Sequence, residues 1–141
     1  MAKLNAVLDD DPWSDLVVSI LSVNHFPLER TYGLLRRLES EKLTDPEELS
    51  NRTAPELYAK LIAAGYDRGE FMTYLFAERL ASLGTFAKRN GIANCETVMK
   101  GHDARALENL LLPINGIGKT VLENFFVLRK IDQRTPNNRL V

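Results

Sequence analysis

The stretch Leu111-Leu-Pro-Ile-Asn-Gly-Ile-Gly-Lys-Thr120 decides the fold of this chain, because it joins two segments whose apolar residues have helical spacing. Gly116 and Gly118 permit positive φ angles and close backbone approach. Ile117, between them, can insert its side chain into a core beneath the turn. The sequence therefore predicts a tight turn between two packed helices.

The backbone of the same turn predicts an anion site. Unpaired N–H groups in the turn and at the start of a helix beginning at Lys119 or Thr120 would point outward, an arrangement that suits a phosphate. Lys119 adds a cation and Thr120 a hydroxyl donor. A turn that needs glycine only for steric reasons explains the same residues, and the sequence leaves that alternative open.

The spacing of the glycines excludes two common nucleotide motifs. Gly116 and Gly118 are one residue apart, whereas a P-loop has four residues between its glycines and follows a strand. A dinucleotide fingerprint requires a third glycine and a βαβ unit, and the sequence pattern provides neither.

Apolar residues with helical spacing predict an all-α fold. Asp11 and Pro12 are typical of a helix start, Thr53 and Glu56 have capping-box spacing, and Asn90-Gly91 is a stop signal. No segment alternates with period two for long enough to indicate a strand. We expect a bundle of six or seven helices, beginning near Pro12, Pro27, Pro46, Thr53, Asp67, Asp103 and Lys119.

Length and charge limit the kind of partner. The 141 residues (15.9 kDa) suit one domain, and the net charge is −1. Residues 1–70 carry 13 acids and 8 bases (−5), and residues 71–141 carry 6 acids and 10 bases (+4). A polyanion partner would therefore need a local site in the basic half. A solvated basic face without a partner explains the charge equally well.

The sequence also predicts where the protein resides. It contains no run of about 18 apolar residues that could cross a bilayer. The N-terminal segment carries one lysine before three aspartates, the wrong charge order for a signal peptide, so we expect an intracellular protein of the cytoplasm, nucleoid or nucleus.

Cys95 is the only cysteine, which excludes an intramolecular disulfide and a four-cysteine iron–sulfur cluster and favours a structural thiol.

The order of these segments resembles the helix-hairpin-helix DNA glycosylase superfamily, the endonuclease-III-like proteins. The resemblance covers most of the chain. The segments that carry it are the helix from Asp11-Pro12-Trp13, the stretch Ser22-Val23-Asn24, the step Leu61-Ile62-Ala63-Ala64-Gly65-Tyr66, and the hairpin Ile114-Asn115-Gly116-Ile117-Gly118. Ile114-Asn115 replaces the leucine-proline that is usual in the family.

The resemblance implies a six-helix barrel with a helix-hairpin-helix motif in residues 1–131, followed by a polar tail, 132–141. It implies DNA binding in base-excision repair: the hairpin would bind the phosphate backbone of duplex DNA, damaged or abasic, and Asn24 would probe the gap left by an extruded base. Na⁺ or K⁺ at the hairpin carbonyls is the one metal it suggests, with no other cofactor and no membrane partner. The DNA-contacting residues would be Asn24, Asn115, Gly116, Ile117, Gly118, Lys119 and Thr120.

The catalytic positions of the family are altered in this sequence. The position of the essential aspartate falls on Asn138, and an amide cannot ionise or balance an oxocarbenium charge. The Schiff-base lysine position falls on Thr120, with Lys119 one residue early. The sequence leaves open a DNA-binding relative without activity, a subunit whose base pocket a partner chain completes, an active monofunctional glycosylase on a reduced scaffold, and a non-enzymatic helical adaptor.

Overall fold

The computed structural model describes residues 11–23 and 26–131, and these residues form nine helices and no β-strand. The expectation of an all-α fold is confirmed. The predicted tail, residues 132–141, lies outside the described part of the chain. In chain order the helices are α1 Pro12–Leu21, α2 Leu28–Tyr32, α3 Leu35–Ser40, α4 Pro46–Ser50, α5 Ala54–Ala63, α6 Glu70–Asn90, α7 Ile92–Lys100, α8 Ala104–Leu111 and α9 Lys119–Arg129.

Several helices begin at the caps that the sequence predicts. The Asp11 carboxylate accepts a hydrogen bond from the Trp13 amide at 3.1 Å at the start of α1. At α5 the predicted capping box is complete: the Thr53 hydroxyl accepts from the Glu56 amide, and the Glu56 carboxylate accepts from the Thr53 amide at 2.9 Å. These side chains satisfy N–H groups that the helices themselves cannot pair.

Two regions contain more helices than expected. The single helix expected after Pro27 is divided into α2 and α3 at Gly33 and Leu34, where the Leu34 amide bonds to Thr31 in a tighter turn and Leu34 leaves helical geometry (φ −95°, ψ 1°). Residues 92–100, where the sequence predicts no separate helix, form α7 immediately after Gly91 (φ +90°). Glycine adopts this φ without the penalty that a Cβ imposes, so the chain can change direction and begin a new helix within one residue.

The longest helix, α6, forms the centre of the packing. Both α4 and α5 pack against it. Gly84 lies in the middle of α6, where an added Cβ would lie 2.5 Å from the backbone of Leu49 and Ser50. The absent side chain at Gly84 is therefore what allows the backbones of α6 and α4 to approach so closely.

The first helix, α1, is buried on nearly every side and contacts α9, α6 and α7. Three polar contacts fix its position. The indole Nε1 of Trp13 donates to Glu96 on α7 at 2.7 Å, Asp15 pairs with Arg129 on α9 at 3.1 Å, and the Leu21 carbonyl accepts from the Tyr66 hydroxyl at 2.7 Å. Both ends of α1 are thus tied to distant parts of the chain.

Candidate nucleic-acid interface

The turn between α8 and α9 is held by two buried isoleucines. Ile114 and Ile117 are 4% and 5% exposed, and both belong to the hydrophobic core. The Ile114 amide donates to the Leu111 carbonyl and the Ile117 amide to the Ile114 carbonyl, each at 3.0 Å. Residues 112–118, hereafter the hairpin turn, are therefore anchored from within, as the position of Ile117 between two glycines predicted.

The two glycines of the hairpin turn differ in backbone conformation and in surroundings. Gly116 has a φ of +95°, and an added Cβ would lie 2.7 Å from Cγ and Cδ of Arg79. Its backbone conformation therefore favours glycine, and a larger residue would also have to displace the Arg79 side chain. Gly118 has an extended backbone (φ −117°, ψ −162°), and nothing lies within 4 Å of an added Cβ. Sterics explain Gly116 and leave Gly118 unexplained.

The first turn of α9 has backbone donors free for a ligand. Gly118 is its N-cap residue, and no side chain caps the helix. Within the described residues, the amides of Gly118, Lys119 and Thr120 donate to no acceptor, and all three residues are exposed. The first bond of the helix runs from the Leu122 amide to the Gly118 carbonyl at 3.1 Å. Three N–H groups beside a lysine and a threonine hydroxyl can receive one phosphate group.

Asn115 connects the hairpin turn to α6. It is exposed, and its Nδ2 lies 3.5 Å from the hydroxyl oxygen of Ser82, a long hydrogen bond. A cleft of ≈ 330 Å³ opens beside this contact, and its lining includes Thr85, Arg89 and Pro113. The outer edge of the turn is therefore supported by α6, although its polar side chains remain accessible.

Thr120 faces a different cleft from the one beside Asn115. A space of ≈ 450 Å³ lies between the end of α1, the start of α2 and the first turns of α9, and Thr120 and Asn124 form its α9 wall. Asn124 donates through Nδ2 to the carbonyls of Ser19 and Ser22, at 3.3 and 3.2 Å, and so closes the carboxyl end of α1. Lys119 is not among the residues that line this cleft.

Two predicted site residues lie outside the described residues. Asn24 belongs to the undescribed pair at 24–25, although its neighbours Val23 and Phe26 line the cleft with Thr120. Asn138, at the position of the family's aspartate, belongs to residues 132–141. The structure therefore brings Thr120 near Val23 and Phe26, and the roles assigned to Asn24 and Asn138 stay predictions.

A buried tyrosine, Tyr66, lies between the end of α1 and Phe26. Tyr66 is fully buried, and its hydroxyl also accepts a hydrogen bond from Arg68 at 3.3 Å. Its ring meets Phe26 and Phe76 edge-on, at centroid distances of 5.0 and 5.9 Å. The sequence gives no signal for the arginine contact, because Arg68 follows Tyr66 in a loop, where helical periodicity does not apply.

Burial raises the pKa of Tyr66 to about 12, although the hydrogen bond and charge of Arg68 and the charge of Arg79 act in the opposite direction. The folded pKa exceeds the unfolded value of about 10. The neutral phenol therefore stabilises the fold fully below pH 10, and this contribution is lost as the pH rises towards 12.

We expect Tyr66→Phe to be less stable than the wild type at pH 8, by about 1 kcal/mol, because the buried Leu21 carbonyl loses its donor. Between pH about 10 and 12 the wild type should lose about 2 kcal/mol more than the variant. Urea unfolding of both proteins at pH 8 and pH 11.5 measures the difference. Equal losses in the two proteins would show that Tyr66 ionises in the folded state without cost.

Other side chains of the described residues give weaker indications of a functional site. Cys95 is buried, and burial and the nearby Glu96 raise the pKa of its thiol, which suits a structural role. His102 is exposed, and no group of three or more His, Cys, Asp or Glu side chains within residues 11–23 and 26–131 could hold a metal ion. In the same residues, no helix has both the length and the apolar character needed to cross a membrane.

Comparison of the chain with protein-family models, with curated proteins and with solved structures found no match.

Proposed function

We propose that this protein binds duplex DNA, and that the hairpin turn and the first turn of α9 contact a backbone phosphate. The proposal follows the resemblance to the helix-hairpin-helix DNA glycosylase superfamily and assigns the chain to base-excision repair or to an origin in it. The phosphate ligands would be the amides of Gly118, Lys119 and Thr120, with the Lys119 ammonium group beside them. Contacts of this kind position a protein on DNA and read no sequence.

The observation that carries the proposal is the environment of Gly118. A glycine that only joins two helices is expected to need its conformation or its space, as Gly116 does. Gly118 needs neither, yet it leaves the start of α9 uncapped and exposed. A serine, aspartate or asparagine there would occupy the free amides with its own side chain. Glycine keeps them open to a ligand and lets it approach the backbone closely.

The proposal is limited to binding. Base release requires a group that stabilises a cationic sugar, and the residue at the family's aspartate position is an amide, Asn138, outside the described residues. The cleft beside Thr120 contributes a hydroxyl group and the Asn124 amide. Monofunctional glycosylase activity and a partner subunit that completes the base pocket remain alternatives without a supporting contact.

Titration of fluorescent duplex DNA at several salt concentrations tests the proposal. The logarithm of the binding constant should fall linearly with the logarithm of the salt concentration. Lys119→Gln should make this slope shallower by about 0.9, the value expected for one lost phosphate contact. Lys100→Gln is the matched control, because Lys100 is also exposed and lies at the end of α7. A duplex with an abasic-site analogue should bind more tightly than intact duplex, because extrusion of a base costs a few kcal/mol.

Wild-type protein that shows no salt-dependent affinity for either duplex would exclude DNA binding and favour the helical adaptor. Equal slopes for Lys119→Gln and Lys100→Gln would remove the hairpin from the DNA contact.

A further inference from the structure

Three arginines and two phenylalanines alternate in a stack beside the hairpin turn, which we call the arginine–aromatic ladder. The Cζ atom of Arg79 lies 5.2 Å from the ring centroid of Phe76, and that of Arg68 lies 5.4 Å from the same ring. Arg68 also lies 4.9 Å from the ring of Phe26, and Arg30 lies 4.6 Å from it. Each ring thus has two guanidinium groups within the range of cation–π attraction.

The aromatic members of the ladder are fixed by the core. Phe76 is fully buried and Phe26 is 7% exposed, and Tyr66 packs edge-on against both. Arg68 is held in addition by a 2.7 Å hydrogen bond to the Val23 carbonyl. Because packing already fixes the rings, a guanidinium group that contacts them meets a rigid surface, and only the arginine loses side-chain entropy.

The outer arginines of the ladder keep their charge available. Within the described residues, neither Arg30 nor Arg79 forms an ion pair or a hydrogen bond through its side chain. Arg30 is exposed and Arg79 half-buried. A guanidinium group that rests on a ring keeps its N–H edge free, and that edge fits a phosphate with two parallel hydrogen bonds. The charges of Arg30 and Arg79 are therefore available to a ligand.

One end of the ladder touches the proposed DNA contact. The side-chain stem of Arg79 packs on Gly116, where an added Cβ would lie 2.7 Å from both Cγ and Cδ. From that contact the ladder extends through Phe76, Arg68 and Phe26 to Arg30, two residues into α2. Its inner member Arg68 contacts both Val23 and Phe26, and these two residues line the cleft beside Thr120. A continuous series of contacts therefore connects Gly116 in the hairpin turn to Arg30 on α2.

We propose that the arginine–aromatic ladder is a second binding surface for the phosphodiester backbone of duplex DNA, with Arg79 and Arg30 as phosphate ligands. The inference rests on the proposed function, since the occupant is the duplex that the hairpin turn binds. The partner is identified by its chemistry: regularly spaced anions complement guanidinium groups held at fixed positions by rings. The rings lie within the core, so the ladder contacts the backbone and stacks no base.

The salt dependence of duplex binding tests the ladder. Arg30→Gln and Arg79→Gln should each reduce the slope by about 0.9, and the double variant by about 1.8. At low salt each single variant should bind roughly tenfold more weakly. Arg79→Lys keeps the charge and should keep most of the slope. Arg105→Gln, on α8, is the matched control, because Arg105 is exposed and has no ring contact among the described residues.

The outcomes separate this inference from the proposed function. If Lys119→Gln lowers the slope and both ladder variants behave like Arg105→Gln, the proposed DNA contact of the ladder is wrong and that of the hairpin turn stands. If the ladder variants lower the slope and Lys119→Gln does not, the ladder stands and the hairpin contact fails. Wild-type protein without affinity for duplex DNA overturns both. Thermal unfolding of each variant verifies that it is folded, and Arg30→Gln at the exposed end of the ladder carries the test if Arg79→Gln is not folded.

Discussion

Replacing Gly84 with alanine is expected to lower the free energy of unfolding by about 3 kcal/mol. The added methyl group would lie 2.5 Å from backbone atoms of Leu49 and Ser50 and 2.8 Å from the Leu49 Cβ. Backbone atoms cannot rotate away as a flexible side chain can, so α4 and α6 must separate. Separation would open gaps around Leu49 and Leu83, which are buried in the core.

The predicted loss of stability is opposite to the change that helix propensity alone would produce. Alanine in a helix interior is favoured over glycine by about 1 kcal/mol, so a solvent-facing Gly84 would give a more stable variant. Thr85→Ala is the control, because Thr85 is the next residue of the same helix and is exposed. Urea unfolding should show Gly84→Ala destabilised and Thr85→Ala unchanged or slightly stabilised. A Gly84→Ala protein as stable as the wild type would contradict the close packing of α4 on α6.

The sequence predicted local structure where a single side chain determines it. Asp11, Thr53 and Asp103 cap helices at the predicted places, and Asn90-Gly91 ends α6. These signals act within one helical turn and need no knowledge of the rest of the chain. The sequence does not explain Gly84 within α6, because the role of that glycine is a contact with α4, more than thirty residues earlier in the chain.

The helix α7 shows a local signal that was present and overlooked. Ile92, Cys95 and Met99 repeat at helical spacing, and the latter two are buried. The stop signal at Gly91 concealed this pattern, since a glycine that ends one helix is commonly followed by a loop. Here the same glycine is also the N-cap of the next helix.

Some features of the candidate site depend on neighbouring residues and could be predicted from the sequence, whereas others depend on residues distant in the chain. Two glycines around an isoleucine predicted a turn plugged into the core, and the burial of Ile117 confirms that turn. Which glycine is sterically required could not be predicted, because the crowding at Gly116 comes from Arg79 on another helix. The ladder depends on contacts between residues near 26, 68 and 76, so no single stretch of sequence contains it. Its local traces are the pairs Phe26–Arg30 and Phe76–Arg79 at helical spacing.

Gly118→Asp is expected to weaken duplex binding roughly 300-fold, or by about 3.4 kcal/mol. The new carboxylate would lie at the start of α9, where it would occupy the amides that we assign to the phosphate and repel the phosphate itself. The substitution should not damage the fold. Gly118 has an extended backbone and open space around it, and aspartate is a better N-cap residue than glycine, by a few tenths of a kcal/mol. The thermal unfolding midpoint should therefore stay the same or rise while binding is lost.

Gly118→Asn separates the two effects of that carboxylate, because asparagine has nearly the same shape and no charge. It should cap α9 as aspartate does and compete for the same amides, so we expect a loss of binding of about tenfold. The remaining difference between the two variants then measures repulsion, and it should shrink as salt screens the charge. A Gly118→Asp protein that binds DNA like the wild type would show that these amides face no phosphate. Stability that rises while binding falls is an outcome that unfolding cannot produce, so this pair of variants tests the interface directly.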